Sequence, residues 1–200
     1  MASATTIFIP GLLCTEYLFH HQRDAMPGGA VFADTRQHDT MTAMAEAALA
    51  QAPGQLIPIG LSMGGYVALE MARLAPSRIS AMALLSTSCR QDNAAQRAYR
   101  EQAIKLAGQD GFRGVTRQFL GKCLSPTALA DAALVEGVLA LAADIGRGVF
   151  AQQQKAILGR RDQRDVLAGF SAPLLIICGT DDKLTPPHLS AEMAALAPHA

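Results

Sequence analysis

Hydrophobic and polar positions alternate along the first ninety residues with two different periods. Short apolar runs rich in β-branched residues predict strands at 5–10, 30–33, 55–59 and 79–85. Between these runs, apolar residues three and four positions apart predict helices that begin at Met41 and Met63. Pro53-Gly54 and Pro76 end these two helices. Strands that alternate with helices in this way predict an α/β fold, with a mostly parallel sheet covered by helices.

The pattern changes after residue 90. From 91 to 170 no run predicts a strand, and helical patterns occur at 93–107, 111–123, from Ser125-Pro126 onward, and at 149–158. A strand pattern returns at 174–178, and Thr185-Pro186-Pro187 begins a last helix that extends to about residue 197. We therefore predict a core formed by residues 1–90 and 171–200, with residues 91–170 inserted as a helical cap.

Composition narrows the class of protein. Half of the 200 residues are apolar, and 17 basic residues balance 17 acidic ones, so a disordered tail and a nucleic-acid-binding protein both fit poorly. No apolar run approaches the roughly 18–20 residues of a membrane span, and no basic segment precedes the first apolar stretch. We expect a cytoplasmic protein that binds neither nucleic acid nor a membrane.

The four cysteines indicate no metal or redox site. Cys14, Cys89, Cys123 and Cys178 stand far apart and form no C-x-x-C pair. We expect free thiols, and we expect neither a metal nor a cofactor.

The segment Gly60-Leu61-Ser62-Met63-Gly64 matches the pattern G-x-S-x-G between a predicted strand and a predicted apolar helix. A sharp turn there forces the serine into a strained conformation, and side chains at the two glycine positions would collide with the strand and the helix. This context predicts that Ser62 is a nucleophile at the carboxyl end of the sheet.

A serine nucleophile requires backbone donors for an oxyanion and an acid that orients a general base. The Met63 N–H at the start of the helix is one candidate donor, and the Leu12 N–H in the loop after the first strand is the other. The acid is expected after the late strand, where Asp182 is our first choice and Asp181 our second.

No histidine fits the role of general base well. His20, His21 and His38 precede Ser62 and are most simply surface or loop residues. His188 follows Asp182 by six residues inside the first turn of the last helix, and His199 is the penultimate residue. Neither is expected to reach within the roughly 3 Å of the serine hydroxyl that proton transfer requires.

These residues resemble the α/β-hydrolase family. The resemblance rests on GLSMGGYVALEMA as nucleophile elbow and helix, IPGLL as oxyanion loop, and LLIICGTDDKLTPP as strand and acid loop, with a helical cap between. It implies that Ser62 is the nucleophile, Asp182 the acid, and Leu12 and Met63 the oxyanion donors. Family members continue past the last helix with a further strand and a Gly-His loop that carries the base. We therefore expect a chain truncated at its C-terminus, without the last strand and helix of the fold.

The resemblance implies hydrolysis of a small carboxylic ester or thioester through an acyl-enzyme on Ser62. Lyase or acyltransferase chemistry on the same fold is an alternative, and so is a non-catalytic binding protein if the chain truly ends at Ala200. Gln152-Gln153-Gln154 are candidates for the pocket wall. Arg160, Arg161 and Arg164 are candidates for contact with an anionic substrate, although a solvated charged face is the favoured interpretation.

Overall fold

A parallel sheet of five strands forms the centre of the protein, as the sequence predicts. The structure, a computed structural model, describes residues 4–26, 29–109 and 114–197. The strands are β1 (Thr5–Ile9), β2 (Ala30–Phe32), β3 (Leu56–Leu61), β4 (Met82–Leu85) and β5 (Leu174–Ile177). They lie in the order β2-β1-β3-β4-β5, and all neighbours are parallel.

The strand boundaries differ from prediction by one residue at several ends and by more at two, and the two larger differences have reasons in strand pairing. Strand β3 does not end at residue 59 but continues through Gly60 to Leu61, because both residues pair with β4. Strand β4 begins at Met82 rather than at residue 79, because Pro76–Arg78 form a 3-10 turn and Ile79 makes only an isolated bridge to Leu56.

Helices cover both the sheet and its carboxyl edge. They are α1 (His20–Asp24), α2 (Met41–Ala50), α3 (Met63–Leu74), α4 (Ala94–Ala107), α5 (Arg117–Leu120), α6 (Pro126–Ala130), α7 (Ala132–Leu158), α8 (Arg164–Ala168) and α9 (Pro187–Leu196). Helix α3 is almost wholly buried, in agreement with its apolar sequence. Within the described ranges, no helix combines the length and the apolar character needed to cross a membrane.

The described part of the segment 91–170 contains helices joined by turns and loops, with no strand, but its helices differ from those predicted. The helix predicted at 111–123 is reduced to α5, and residues 110–113 of it lie outside the described residues. The helix predicted at 149–158 is the last part of the 27-residue α7, whose axis breaks at Gly146 (φ 83°). Helix α8 packs on α3 and α9, and Leu167 belongs to the main core. The division of the chain into core and cap at 91 and 170 stays a prediction.

The sheet order brings several loops to one place. In parallel strands the carboxyl ends share one edge of the sheet, so the loops after β1, β3, β4 and β5 lie side by side. The chain places β2 on one side of β1 and β3 on the other, and such a reversal of strand order opens a crevice where α/β proteins bind ligands. Ser62 follows β3 directly at this crevice, and the loop that contains Leu12 follows β1.

Candidate active site

Ser62 occupies a strained turn between β3 and α3. Its backbone has φ 52° and ψ −113°, a conformation that a non-glycine residue adopts only at a cost. Neighbouring groups hold it in place: the Ser62 N–H donates to the Leu85 carbonyl at 2.9 Å, and Thr87 Oγ1 donates to the Ser62 carbonyl at 2.7 Å. The Ser62 side chain makes no hydrogen bond to the start of α3, so its hydroxyl does not serve as a helix cap.

The two glycines of the G-x-S-x-G segment leave no room for a side chain. A Cβ at Gly60 would lie 2.3 Å from the Gly64 carbonyl oxygen, and a Cβ at Gly64 would lie 2.0 Å from the Ile9 carbonyl oxygen. The first turn of α3 therefore packs directly on the end of β3 and on the end of β1. This close approach brings the start of α3 beside the loop that follows β1.

A cavity of about 780 Å³ opens over Ser62. Its floor is formed by the loops after β1, β3, β4 and β5, and helices α4, α5 and α7 cover it. Ser62, Leu12 and Asp182, three of the four predicted site residues, line the cavity together. The fourth, Met63, has its side chain fully buried in the core, so only its backbone faces the turn.

The two backbone N–H groups predicted as oxyanion donors belong to Met63, which follows Ser62, and to Leu12, which lines the same cavity. Met63 is the first residue of α3, so its N–H has no acceptor within the helix. In the part of the chain that the structure describes, the Leu12 N–H donates no hydrogen bond. A Cβ at Gly11 would lie 3.6 Å from the Ser62 Cβ, so Gly11, next to Leu12, lies close to the serine.

A buried glutamine that the sequence marked only as a candidate for the pocket wall fixes this loop. Gln153 of α7 is fully buried; its Oε1 accepts from the Leu13 N–H at 2.9 Å, and its Nε2 donates to the Thr35 carbonyl and hydroxyl oxygens at 3.2 Å. Leu13, next to Leu12, has φ 53°. Gln153 thus holds the loop after β1 in a backbone conformation that it would not adopt unaided. Of the three glutamines predicted as candidates for the pocket wall, Gln154 lines the cavity, whereas Gln152 and Gln153 are outside its lining.

Asp182 lies at the cavity, whereas Asp181 is exposed outside its lining. One oxygen of the Asp182 carboxylate accepts from the Leu184 N–H at 2.9 Å and the Thr185 N–H at 2.8 Å. The other accepts from Thr185 Oγ1 at 2.8 Å. The carboxylate is therefore held in one orientation by its own loop.

Among the described histidines, only His188 lines the cavity, where it is exposed in the first turn of α9. No hydrogen bond joins it to Ser62 or Asp182. His20 and His21 lie in α1, and His38 lies in the loop before α2, all outside the cavity lining. His199 lies outside the described residues.

The favoured interpretation of the three late arginines is correct for two of them and wrong for the third. Arg161 and Arg164 are exposed and pair with Asp165 and Asp162 on the surface. Arg160, in contrast, is buried and lines the cavity, because its guanidinium stacks on the Tyr66 ring at 4.2 Å and pairs with buried Asp92.

The cavity cysteines are poor competing nucleophiles. Burial, and to a smaller extent the neighbouring Cys123 thiol, raises the pKa of Cys14 to about 11. At neutral pH Cys14 is a thiol rather than a thiolate. The four cysteines form no disulfide, and no cluster of three potential metal ligands occurs among the residues described.

Asp34, which follows β2, has a local structural role. Its carboxylate accepts hydrogen bonds from the Arg36 N–H at 3.0 Å and from Arg36 Nε at 2.7 Å. The hydrogen bond from the Arg36 side chain holds the pKa of Asp34 below its usual value. Asp34 shapes the loop after β2 and lies outside the cavity.

Known proteins share this fold and part of this sequence. The chain is 32% identical over 166 residues to a pimeloyl-[acyl-carrier protein] methyl ester esterase of Yersinia enterocolitica; the match covers 80% of this chain and 64% of that relative's length. An esterase from Thermogutta terrifontis, solved with malate bound, superposes with a TM-score of 0.85 at 21% identity, covering 98% of this chain and 79% of the esterase. An enol-lactonase from Burkholderia xenovorans superposes with a TM-score of 0.79 at 19% identity, covering 98% and 81%.

The solved structures agree with this chain in fold. A family sequence profile, described as alpha/beta hydrolase fold, matches residues 33–200, which include the turn of Ser62 and the loop of Asp182. The chain therefore belongs to the alpha/beta hydrolase fold family.

Proposed function

We propose that the protein is a serine hydrolase that cleaves a small carboxylic ester or thioester through an acyl-enzyme on Ser62. The observation that carries this proposal is the strained turn of Ser62 at a cavity that Leu12 also lines. The Met63 N–H has no acceptor within α3, and the Leu12 N–H donates no hydrogen bond among the described residues. The sequence relative named as a methyl ester esterase supports an ester bond as the site of cleavage. Because the chain spans 64% of that relative's length, the activity of the whole protein is part of the proposal.

In the proposed reaction, Ser62 Oγ attacks the carbonyl carbon while its proton passes to a general base. The Leu12 and Met63 N–H groups donate to the oxygen on which negative charge develops, an arrangement that can contribute several kcal/mol to transition-state stabilisation. The carbon–oxygen or carbon–sulfur bond to the leaving group then breaks, and the leaving group takes the proton. Water hydrolyses the resulting ester on Ser62 and restores the serine.

Asp182 is proposed to orient that base. A carboxylate that accepts three hydrogen bonds from its own loop is fixed in direction, as an orienting group must be. His188 makes no hydrogen bond to either Ser62 or Asp182, so we do not assign the base to it. A base on a Gly-His loop after the last helix, which the family resemblance implies, remains a prediction, and the effects on kcat predicted here are those for a protein that contains this base.

Replacement of Asp182 tests this role. We expect Asp182→Asn to lower kcat for a p-nitrophenyl ester by about 10³-fold or more, because an amide cannot stabilise an imidazolium as a carboxylate does. Asp181→Asn is the matched control and should leave kcat unchanged, since Asp181 lies outside the cavity lining. Equal losses of kcat in the two variants, measured by steady-state kinetics, would show that the assignment of the acid to Asp182 is wrong.

Gln153 is proposed to position the oxyanion loop. In Gln153→Met the side chain keeps its approximate volume but leaves the Leu13 N–H without its acceptor, and the loop can relax from its strained conformation. We expect kcat to fall about tenfold or more with little change in KM, because the oxyanion contact is made in the transition state. Gln152→Met, one residue away on α7, makes no comparable contact and is the control. A change in KM alone would contradict the positioning role.

A further inference from the structure

One wall of the cavity contains a buried cluster with more positive than negative charge. The Asp92 carboxylate is completely buried and lies between two guanidinium groups, with Arg100 Nε at 2.6 Å and Arg160 Nη2 at 2.8 Å. Asp92 does not itself line the cavity, whereas both arginines do. Since arginine stays protonated, the cluster presents one uncompensated positive charge to the cavity.

All three guanidinium nitrogens of Arg160 face partners within the protein. Its Nε donates to the Arg90 carbonyl at 3.0 Å and its Nη1 to the Ile157 carbonyl at 3.1 Å. Its Nη2 forms the ion pair with Asp92, at an angle that leaves Asp92 Oδ1 without a hydrogen bond. The plane of the Arg160 guanidinium stacks on the Tyr66 ring. Arg160 is therefore a structural support with little capacity for a ligand.

Arg100 differs from Arg160 in having a free donor. Its Nε bonds Asp92 and its Nη1 bonds Gln154 Oε1 at 2.8 Å, while its Nη2 donates to no residue in the described part of the chain. The side chain is 17% exposed, which is enough for a small group in the cavity to reach it. Two fixed nitrogens orient the guanidinium, and the third is left for a ligand.

The arginines of the cluster line the same cavity as the proposed nucleophile, and a chain of contacts connects the two. Tyr66 stands one helical turn after Ser62 on α3, and its ring supports Arg160, which pairs with the same carboxylate as Arg100. The neighbouring wall is polar, in contrast to the apolar wall from the oxyanion loop and α5. The polar wall includes Ser88, Gln91, Asn93, Gln96 and Gln154.

We infer that this wall is a subsite for a carboxylate on the substrate, with Arg100 as its direct ligand, so that the preferred ester is a half-ester of a dicarboxylic acid. This inference rests on the proposed function and adds a substrate class to it. A single negative charge matches the single uncompensated positive charge, whereas a doubly charged phosphate would leave an unpaired charge in a partly buried site. The other cations of the lining compete poorly, since Arg90 is paired with Glu192 at 2.7 Å and Lys183 is exposed near Asp182.

Calorimetric titration with adipate and with its neutral diamide, adipamide, tests the subsite without requiring turnover. We expect adipate to bind the protein about tenfold more tightly or better, the effect of one charge-assisted hydrogen bond in a sheltered site. Arg100→Gln should remove this preference. Arg100→Lys should keep part of it, because lysine retains the charge but not the planar geometry. Arg97→Gln is the matched control: Arg97 lies one turn earlier on α4 and donates to the Leu158 carbonyl outside the cavity.

Three outcomes would overturn the inference: equal affinity of adipate and adipamide, absence of binding by both, or a preference that survives in Arg100→Gln. Equal affinity of the unsubstituted protein for adipate and adipamide overturns the inference even if Arg100→Gln does not fold, and Arg100→Lys then serves as the second variant. Hydrolysis of monomethyl adipate and dimethyl adipate is measured in parallel. Failure of both esters to react would count against the proposed function alone, whereas equal kcat/KM for the two would count against the carboxylate subsite alone.

Discussion

Ser62→Ala is expected to abolish covalent labelling by a fluorophosphonate and to lower ester hydrolysis by a factor on the order of 10⁶, the loss typical of a removed serine nucleophile. The reason is that the attacking oxygen itself is deleted, while the backbone donors of Leu12 and Met63 remain. Alanine at position 62 also keeps the N–H that donates to the Leu85 carbonyl and the carbonyl that accepts from the Thr87 hydroxyl, so the turn should persist. Labelling is followed by intact-protein mass spectrometry.

A second serine of the cavity provides the control for this prediction. Ser86 lines the same cavity at the end of β4, and it also has a positive φ of 43°. Ser86→Ala should be labelled as fast as the unsubstituted protein. Labelling that persists in Ser62→Ala and disappears in Ser86→Ala would move the nucleophile from β3 to β4.

Gly64→Ala should destabilise the protein by roughly 3 kcal/mol or more, at the upper end of what overpacking costs, and should abolish labelling of Ser62. The added Cβ would lie 2.0 Å from the Ile9 carbonyl oxygen, 2.7 Å from the Ile9 carbonyl carbon and 2.9 Å from the Pro10 carbonyl oxygen. These are backbone atoms of β1 and its loop, so the helix and the strand must separate. The separation would also move the Leu12 N–H away from Ser62.

Gly137→Ala is the matched control for this stability prediction. Gly137 lies in α7, is exposed, and has no atom within 4 Å of the position of an added Cβ. Alanine is favoured over glycine in a helix, so this variant should be more stable by about 0.5–1 kcal/mol. Chemical denaturation of both variants measures the difference. A Gly64→Ala protein as stable as Gly137→Ala would contradict the close packing of α3 on β1.

Local features of the sequence predict the sheet and the turn of Ser62 well. Each strand of the first ninety residues is a short apolar run, and α3 is apolar along its whole length because it is buried. The spacing of Gly60, Ser62 and Gly64 is likewise a local signal, since the contacts that exclude side chains arise wherever a strand enters a helix through so tight a turn.

Features that depend on residues far away in the sequence could not be predicted from local patterns. Arg160 has the same local pattern as exposed Arg161 and Arg164, and only its contacts with Asp92 and Tyr66 make it buried. Gln153 is one of three consecutive glutamines, and its role depends on Leu13 and Thr35 in other parts of the chain. In α7, Gly146 and Gly148 interrupt the helical sequence pattern, so of this kinked 27-residue element the sequence predicts only the last part, at 149–158.

Trapping of an acyl-enzyme tests the central claim most directly. The protein is mixed with a p-nitrophenyl ester, quenched in acid and digested with trypsin, and the peptide that spans residues 37–73 is sequenced by tandem mass spectrometry. The account predicts an added acyl group on Ser62, absent after prolonged incubation because water hydrolyses the ester. An acyl group on another residue of this peptide or elsewhere in the chain, or turnover without any acylated peptide, would contradict it.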